Sequence, residues 1–234
     1  MKTAGWRSAF IYGCAVALCQ PLAACGSAEA PAAKREGAET RAPIADDAPL
    51  VIAFGDSLYA GYQLGPKEGL APQLQAALAA DGVPARVQNA GVSGDTTAAG
   101  RQRLNFVLDN AKAKPALVLL GLGGNDMLRG IDADQTRANL DAMLAELKRR
   151  DIPVLLTGMV AAPNLGADYA RKFNPIYAEL AAKYDASLYP FILDDVVTDP
   201  SLMLGDHMHP NAKGVAVIAK GLAPLVEEQL PDSE

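Results

Sequence analysis

The strongest constraint on the fold is a series of short apolar runs that alternate with longer segments of helical periodicity. Residues 50–54 and 116–120 are entirely apolar. Runs of this length are typical of strands that are buried on both faces of a parallel sheet. Parallel neighbours joined through helices require right-handed crossover connections, with helices on both faces of the sheet. The sequence therefore predicts one α/β domain with three layers, α/β/α, around a central parallel sheet.

The alternation also fixes where the strands and helices are expected. The predicted strands are residues 50–54, 85–89, 116–120, 154–159 and 186–189. The predicted helices are residues 70–80, 98–110, 133–150, 168–184 and 211–230. Open α/β sheets bind ligands at the carboxyl ends of their strands, so a functional site is expected at that edge.

The first residues have the pattern of a secretory signal segment. Lys2 and Arg7 precede an apolar stretch, residues 9–24, that is too short for a membrane-spanning helix. It ends in Leu-Ala-Ala-Cys-Gly, residues 22–26, which resembles the bacterial lipobox, where the Cys becomes the lipidated first residue of a mature lipoprotein. The competing interpretation is ordinary cleavage after a small residue, with Cys25 incidental.

Three segments are therefore expected. Residues 1–24 are a lipoprotein-type signal peptide, residues 25–48 are a disordered linker, and residues 49–234 are the folded domain. The linker is predicted because Ala, Pro, Glu and Lys dominate it without apolar periodicity. We expect a protein exported to the bacterial cell envelope, in the periplasm or at the outer membrane, with membrane contact through a lipid anchor on Cys25.

Composition excludes several classes of function. The only cysteines are Cys14, Cys19 and Cys25, so the domain has no internal disulfide, cysteine nucleophile or thiolate metal site. The formal net charge of −6 at pH 7 argues against nucleic acid as a partner.

The first predicted strand ends in Gly-Asp-Ser-Leu, residues 55–58. Ser57 therefore lies on the loop at the carboxyl end of that strand, where the amides that start the next helix can face a developing anion. This position suits a nucleophile. Asp and Ser also cap helices and shape turns, so the motif alone favours a structural turn, and the nucleophile needs a base, an orienting acid and oxyanion donors elsewhere in the chain.

Two more polar stretches follow predicted strands. Residues 89–97 form a Gly-rich turn that contains Gly94 and whose amides could bind an anion. Residues 121–126, Gly-Leu-Gly-Gly-Asn-Asp, place Asn125 where its amide could donate to an oxyanion. A glycine turn with a Thr cap and a turn-forming Asn-Asp pair are the structural alternatives. A dinucleotide fingerprint is excluded because its third Gly is missing.

The two histidines of the chain, His207 and His209, precede the last predicted helix. An Asp three residues before a His in a turn can bind the imidazole Nδ1 and leave Nε2 to accept a proton, and Asp206 has that spacing from His209. The histidines could instead bind a metal, with carboxylates as the other ligands, or form a structural pair at a helix start.

Together these four stretches resemble the SGNH (GDSL-type) hydrolases, and specifically the bacterial lysophospholipase, thioesterase and arylesterase branch. The resemblance covers residues 50–228 and implies a flavodoxin-like fold. It makes Ser57 the nucleophile, His209 the base and Asp206 its orienting partner. It makes the amides of Ser57 and Gly94 and the side chain of Asn125 the oxyanion hole. The sequence departs from the family pattern at His207, where Gly is usual, so His207 competes for the role of base.

The resemblance implies a serine esterase that needs no cofactor or metal and acts on small acyl esters, thioesters or lysophospholipids. Residues 127–131 and 162–166 look like the substrate-facing loops of the branch. Two alternatives stay open: a cell-envelope polysaccharide O-acetylesterase, and a lipid-anchored binding module without turnover.

Overall fold

The computed structural model describes residues 45–231. The predicted signal peptide, Cys25 and most of the predicted linker lie outside these residues. The last residue of the predicted linker, Ala48, is buried, and its carbonyl oxygen accepts a hydrogen bond from Arg86 Nε at 3.1 Å.

The described residues form a five-stranded sheet in which every neighbouring pair is parallel. The strand order is β2-β1-β3-β4-β5, which is the flavodoxin-like order with β1 at the topological switch point. The strands are β1 (Leu50–Gly55), β2 (Arg86–Gly91), β3 (Leu117–Gly121), β4 (Val154–Thr157) and β5 (Ser187–Tyr189). The predicted three-layer fold with a central parallel sheet is confirmed.

Helices cover both faces of this sheet. They are α1 (Ser57–Ala60), α2 (Leu70–Ala80), α3 (Thr97–Asp109), α4 (Gly124–Leu128), α5 (Ala133–Arg149), α6 (Ala167–Phe173), α7 (Ile176–Tyr184) and α8 (Ala212–Glu227). Alternate residues of β1 face opposite layers: Ile52 and Phe54 pack with α3, α5, α6 and α7, whereas Val51 and Ala53 pack with α2 and α8. In the described part of the chain, no helix has the length and apolar character needed to cross a membrane.

One helix prediction is wrong. The segment predicted as a single helix over residues 168–184 is two helices, α6 and α7, separated at Asn174 and Pro175. Pro175 cannot donate the backbone hydrogen bond that a continuous helix needs. The Asn174 side chain accepts a hydrogen bond from the Ala161 amide at 2.8 Å, which ties the break to the loop after β4.

The carboxyl ends of three neighbouring strands, β2, β1 and β3, are glycines because another segment crosses them. Gly55 of β1 is in register with Gly91 of β2 and with Gly121 of β3. The buried Tyr59 ring of α1 lies against this row, and a Cβ atom at Gly121 would lie 2.3 Å from that ring. The Tyr59 hydroxyl bonds Thr157 Oγ1 at 2.7 Å. Side chains at the row would push away the segment that starts with Ser57.

A prediction compares the same truncation at a buried and an exposed leucine. Leu119, in the middle of β3, is fully buried, whereas Leu128 is 59% exposed. Leu119→Ala should lower the free energy of unfolding by about 2–5 kcal/mol, because it leaves a cavity between sheet and helices. Leu128→Ala should change it by less than about 0.5 kcal/mol. Urea unfolding of both variants measures the difference, and equal losses would contradict the burial assigned to β3.

Candidate active site

Ser57 lies where the sheet and the first helix meet. β1 ends at Gly55, and Ser57 is the first residue of α1. Asp56 caps this helix, because its Oδ1 accepts a hydrogen bond from the Leu58 amide at 3.1 Å. The first amide of a helix has no partner inside it, and in the described residues the Ser57 N–H, beside the Ser57 hydroxyl, donates to no protein acceptor.

A chain of hydrogen bonds runs from Ser57 through His209 to Asp206. Ser57 Oγ lies 2.8 Å from His209 Nε2, and His209 Nδ1 lies 2.7 Å from Asp206 Oδ2. With Nδ1–H donating to the carboxylate, Nε2 is left to accept the serine proton. The Tyr62 ring packs against the imidazole with ring centroids 4.5 Å apart. The structure thus brings Ser57 together with His209, which is 152 positions later in the chain, and with its neighbour Asp206.

The loop that precedes α8 orients Asp206 with its own amides. Asp206 Oδ1 accepts hydrogen bonds from the Met208 amide at 2.9 Å and the His209 amide at 3.0 Å. Desolvation acts to raise the pKa of Asp206, but these amides and the His209 ring outweigh it and lower the pKa to about 2. The carboxylate is therefore ionised over the whole range in which a histidine titrates, as a partner of an imidazolium should be.

His207 occupies a different position from His209. Its φ of 55° lies in the left-handed region, which only a few per cent of non-glycine residues adopt. This turn lets the Asp206 carboxylate accept hydrogen bonds from the amides of Met208 and His209. The His207 side chain is exposed and lines the mouth of the cavity beside Ser57. The imidazole in contact with Ser57 is that of His209.

The three predicted oxyanion donors come from loops after three neighbouring strands. Ser57 follows β1, Gly94 follows β2, and Asn125 lies in α4 after β3. Within residues 45–231, neither the Ser57 nor the Gly94 N–H donates to a protein acceptor. Asn125 Nδ2 donates to Asp56 Oδ2 at 3.3 Å, which fixes the orientation of the amide group.

Asp56 is a site residue that sequence reasoning interpreted only as part of a turn. Its side chain is 5% exposed, and burial raises its pKa from the ordinary 3.8 to about 6 despite hydrogen bonds from Leu58 and Asn125 and the nearby His209. The position of Asp56 at the end of a buried strand indicates a second role. The sequence does not show its partner, because Asn125 is 69 residues away.

An apolar cavity of about 420 Å³ opens beside Ser57. Its walls are mostly apolar and include Met127, Leu128, Met159, Val160, Phe191 and Val197. The two predicted substrate-facing loops contribute Met127, Leu128, Ala162 and Pro163 to these walls. Among the described residues that line the cavity, the polar side chains are those of Asp56, Ser57, Asn125, His209 and His207.

A metal at the two histidines would need further ligating side chains grouped beside them. In the part of the chain that the structure describes, no three His, Cys, Asp or Glu side chains are grouped so that they could hold a metal ion. His209 is instead engaged by Asp206 and Ser57 through its two ring nitrogens. The predicted lipidation site, Cys25, lies outside the described residues and stays a prediction.

Comparison with known proteins gives a family. Residues 53–217 match the model of the GDSL-like lipase/acylhydrolase family. The chain belongs to this family.

Similar proteins include esterases with known structures. Esterase TesA of Pseudomonas aeruginosa is 39% identical over 163 residues, which are 70% of this chain and 80% of that protein. Thioesterase 1/protease 1/lysophospholipase L1 of Escherichia coli K12 is 36% identical over 192 residues, 80% of this chain and 88% of that protein. The crystal structure of AlinE4, an SGNH-hydrolase family esterase, superposes with a TM-score of 0.68 at 50% identity and covers 80% of this chain and all of that one.

The family assignment confirms the resemblance predicted from the four motifs, and with it the enzyme class. The chain is an SGNH esterase, a hydrolase of ester bonds. The matched residues start within β1 and end within α8, so they include the loops that carry Ser57, Gly94, Asn125, Asp206 and His209.

A prediction follows from the raised pKa of Asp56. The folded protein holds a proton on Asp56 up to about pH 6, whereas the unfolded chain releases it near pH 4, so ionising the buried carboxyl lowers stability as the pH rises between these values. Asp56→Asn cannot ionise. The free energy of unfolding of the wild type should therefore fall relative to that of Asp56→Asn by about 2 kcal/mol between about pH 4 and pH 7.

Urea unfolding of both proteins at several pH values measures this difference. A difference in the free energy of unfolding that is the same at every pH is caused by the hydrogen bonds that the substitution changes. Only the pH-dependent part of the difference therefore tests the prediction. Parallel curves would show that Asp56 keeps an ordinary pKa.

Proposed function

We propose that this SGNH esterase hydrolyses medium-chain acyl esters or thioesters through an acyl-enzyme on Ser57. The observation that supports this most is the hydrogen-bonded series Ser57, His209 and Asp206, which opens onto an apolar cavity of about 420 Å³. A nucleophile, a base and an orienting acid in hydrogen-bond contact are the requirements of serine acyl transfer.

In the proposed mechanism, Ser57 Oγ attacks the carbonyl carbon of the ester while His209 Nε2 takes the serine proton. Asp206 stabilises the imidazolium that forms. The tetrahedral oxyanion is held by the amides of Ser57 and Gly94 and by the side chain of Asn125. His209 then gives its proton to the leaving alcohol or thiol, and the acyl group stays on Ser57. A water molecule activated by His209 hydrolyses this acyl-enzyme and regenerates the serine.

The cavity supports an aliphatic acyl group as the bound part of the substrate. Its apolar walls would bury methylene groups, each of which contributes about 0.8 kcal/mol when removed from water. The relatives carry the names arylesterase and thioesterase/lysophospholipase, which fit the same chemistry. An acetyl group on a polysaccharide would leave most of this cavity unfilled, so the O-acetylesterase alternative has less support.

The first prediction of this proposal concerns chain length. With p-nitrophenyl acetate, butyrate and octanoate, kcat/KM should rise with chain length, by roughly tenfold or more from acetate to octanoate, because the added methylenes are buried in the cavity. Ser57→Ala should lose roughly 10⁴-fold or more of the activity on each ester. Initial rates of p-nitrophenolate release measure both effects.

The two histidines provide a matched control. His209→Ala should be about as inactive as Ser57→Ala, because the two act as a unit, whereas His207→Ala should hydrolyse p-nitrophenyl esters at close to the wild-type rate. Preference for acetate would shift support to the polysaccharide alternative. A folded wild type that hydrolyses none of the esters would support the binding module.

For location, we propose export and lipid anchoring at Cys25. The support is the Leu-Ala-Ala-Cys-Gly sequence at residues 22–26, directly after an apolar stretch. In a bacterial host grown with radiolabelled palmitate, the full-length protein and Cys19→Ala should be labelled, and Cys25→Ala should not. Labelling of Cys25→Ala, or of none of the three, would contradict the proposal.

A further inference from the structure

The position of the loop that carries Gly94 depends on contacts with other segments of the chain. The loop follows β2, while Ser57 and Asn125 follow β1 and β3. The three donors are therefore on separate segments, and their distances depend on contacts between those segments. Gly94 has a φ of 86°, which lies in the left-handed region that glycine adopts more readily than other residues. An oxyanion hole works only when its donors are held to within a fraction of an ångström.

Arg103 on α3 makes three hydrogen bonds that join these segments. Its Nε donates to Asp95 Oδ2 at 2.6 Å, its Nη1 to the Ala90 carbonyl at 2.8 Å and its Nη2 to the Gly55 carbonyl at 2.9 Å. The guanidinium carbon also lies 3.9 Å from the centre of the Phe54 ring. One side chain thus binds the residue next to Gly94, the end of β2 and the end of β1, two residues before Ser57.

The contacts of Arg103 are well shielded and use its planar geometry. The side chains of Arg103 and Asp95 are 20% and 12% exposed. Hydrogen bonds from a charged group to partly buried carbonyls are stronger than neutral ones, and the guanidinium fork presents its donors in fixed directions. A lysine would keep the charge but could not replace three divergent donors.

A second arginine holds the same loop from the other side. Arg129 Nη2 donates to the Gly94 carbonyl at 2.8 Å, and Arg129 follows Asn125 by four residues at the end of α4. Arg103 therefore connects the Gly94 loop to the strand that precedes Ser57, and Arg129 connects it to the helix that contains Asn125. The side chain of Arg129 is exposed, so its bond competes with water and should contribute less.

We propose that Arg103 is the positioning residue of the oxyanion hole: it fixes the Gly94 amide relative to Ser57, with Arg129 as a weaker second tie to the Asn125 segment. This inference rests on the proposed function, because it assigns a supporting residue to that reaction. Arg103 does not touch the substrate. Its effect is expected in the stabilisation of the tetrahedral intermediate and not in substrate binding.

The test is Arg103→Lys with p-nitrophenyl butyrate. We expect kcat to fall by roughly tenfold to a hundredfold, less than the hundredfold or more lost when an oxyanion donor is deleted, while KM changes little. A boronic acid, which forms a tetrahedral adduct with an active-site serine, should bind more weakly by a similar factor. Butyramide, a neutral and trigonal analogue of the ester, should inhibit the variant as it inhibits the wild type.

Arg101→Lys is the matched control. Arg101 is on the same helix and is exposed, with a single 3.3 Å hydrogen bond to the Asn139 side chain. This variant should keep the wild-type kcat and boronic acid affinity. If Arg103→Lys does not fold, as judged by urea unfolding, Asp95→Asn is the second variant. It weakens the salt bridge, keeps the two carbonyl contacts of Arg103, and should lower kcat and boronic acid affinity by a smaller factor.

A double variant separates positioning from a general loss of structure. If Arg103 acts through the oxyanion hole, adding Arg103→Lys to Asn125→Ala should cost less than Arg103→Lys costs alone, because the two changes disable the same unit. The proposal would be overturned if the losses in kcat of the two changes are additive. It would also be overturned if Arg103→Lys raises KM and leaves kcat unchanged. A wild-type boronic acid affinity in both Arg103→Lys and Asp95→Asn would overturn it as well.

The failure of this inference is distinguishable from failure of the proposed function. If the wild type hydrolyses no ester, or if Ser57→Ala keeps the activity, the proposed function fails whatever Arg103 does. If the wild type is active, Ser57→Ala is inactive and Arg103→Lys has wild-type kcat and boronic acid affinity, only the positioning role fails.

Discussion

The parallel register of β2, β1 and β3 is the constraint on which the site depends. Because Gly91, Gly55 and Gly121 end these strands side by side, the three loops that follow leave the sheet at one place. The absence of side chains on this row allows the Tyr59 ring to cross it and hold α1 against the strand ends. The position of Ser57 therefore depends on backbone pairing and close packing at the strand ends.

The surroundings of two carboxyl groups near His209 shift their pKa values in opposite directions. Asp206 is on an exposed loop, where two amides and the imidazole hold its pKa at about 2. Asp56 is buried at a strand end, and its pKa is raised to about 6. Asp206 can thus balance a charged imidazole, while Asp56 orients Asn125 and Leu58 through hydrogen bonds. Pairs of groups whose environments separate their pKa values commonly have separate roles in one site.

The sequence predicted the sheet and the motif residues because both are local patterns. Apolar runs mark β1 and β3, and the Asp-to-His spacing marks Asp206 and His209 within one turn. The break in the helix at Pro175 was missed because the periodicity continues across it. The second role of Asp56 and the bond from Arg103 to Gly55 were missed because the partners Asn125 and Gly55 are 69 and 48 residues away. Such contacts follow from the fold and leave no local pattern.

The proposed reacting groups and the proposed acyl cavity are built from different parts of the fold. Ser57, Gly94 and Asn125 follow the neighbouring strands β1, β2 and β3, where strand pairing and the two arginines restrict movement. The cavity walls come largely from the loops after β4 and β5, such as Met159, Val160 and Phe191, and several of these side chains are partly exposed. Changes in those loops can alter the volume available to the acyl chain without moving the strand ends. Chain-length preference and catalytic power are therefore expected to respond to different substitutions.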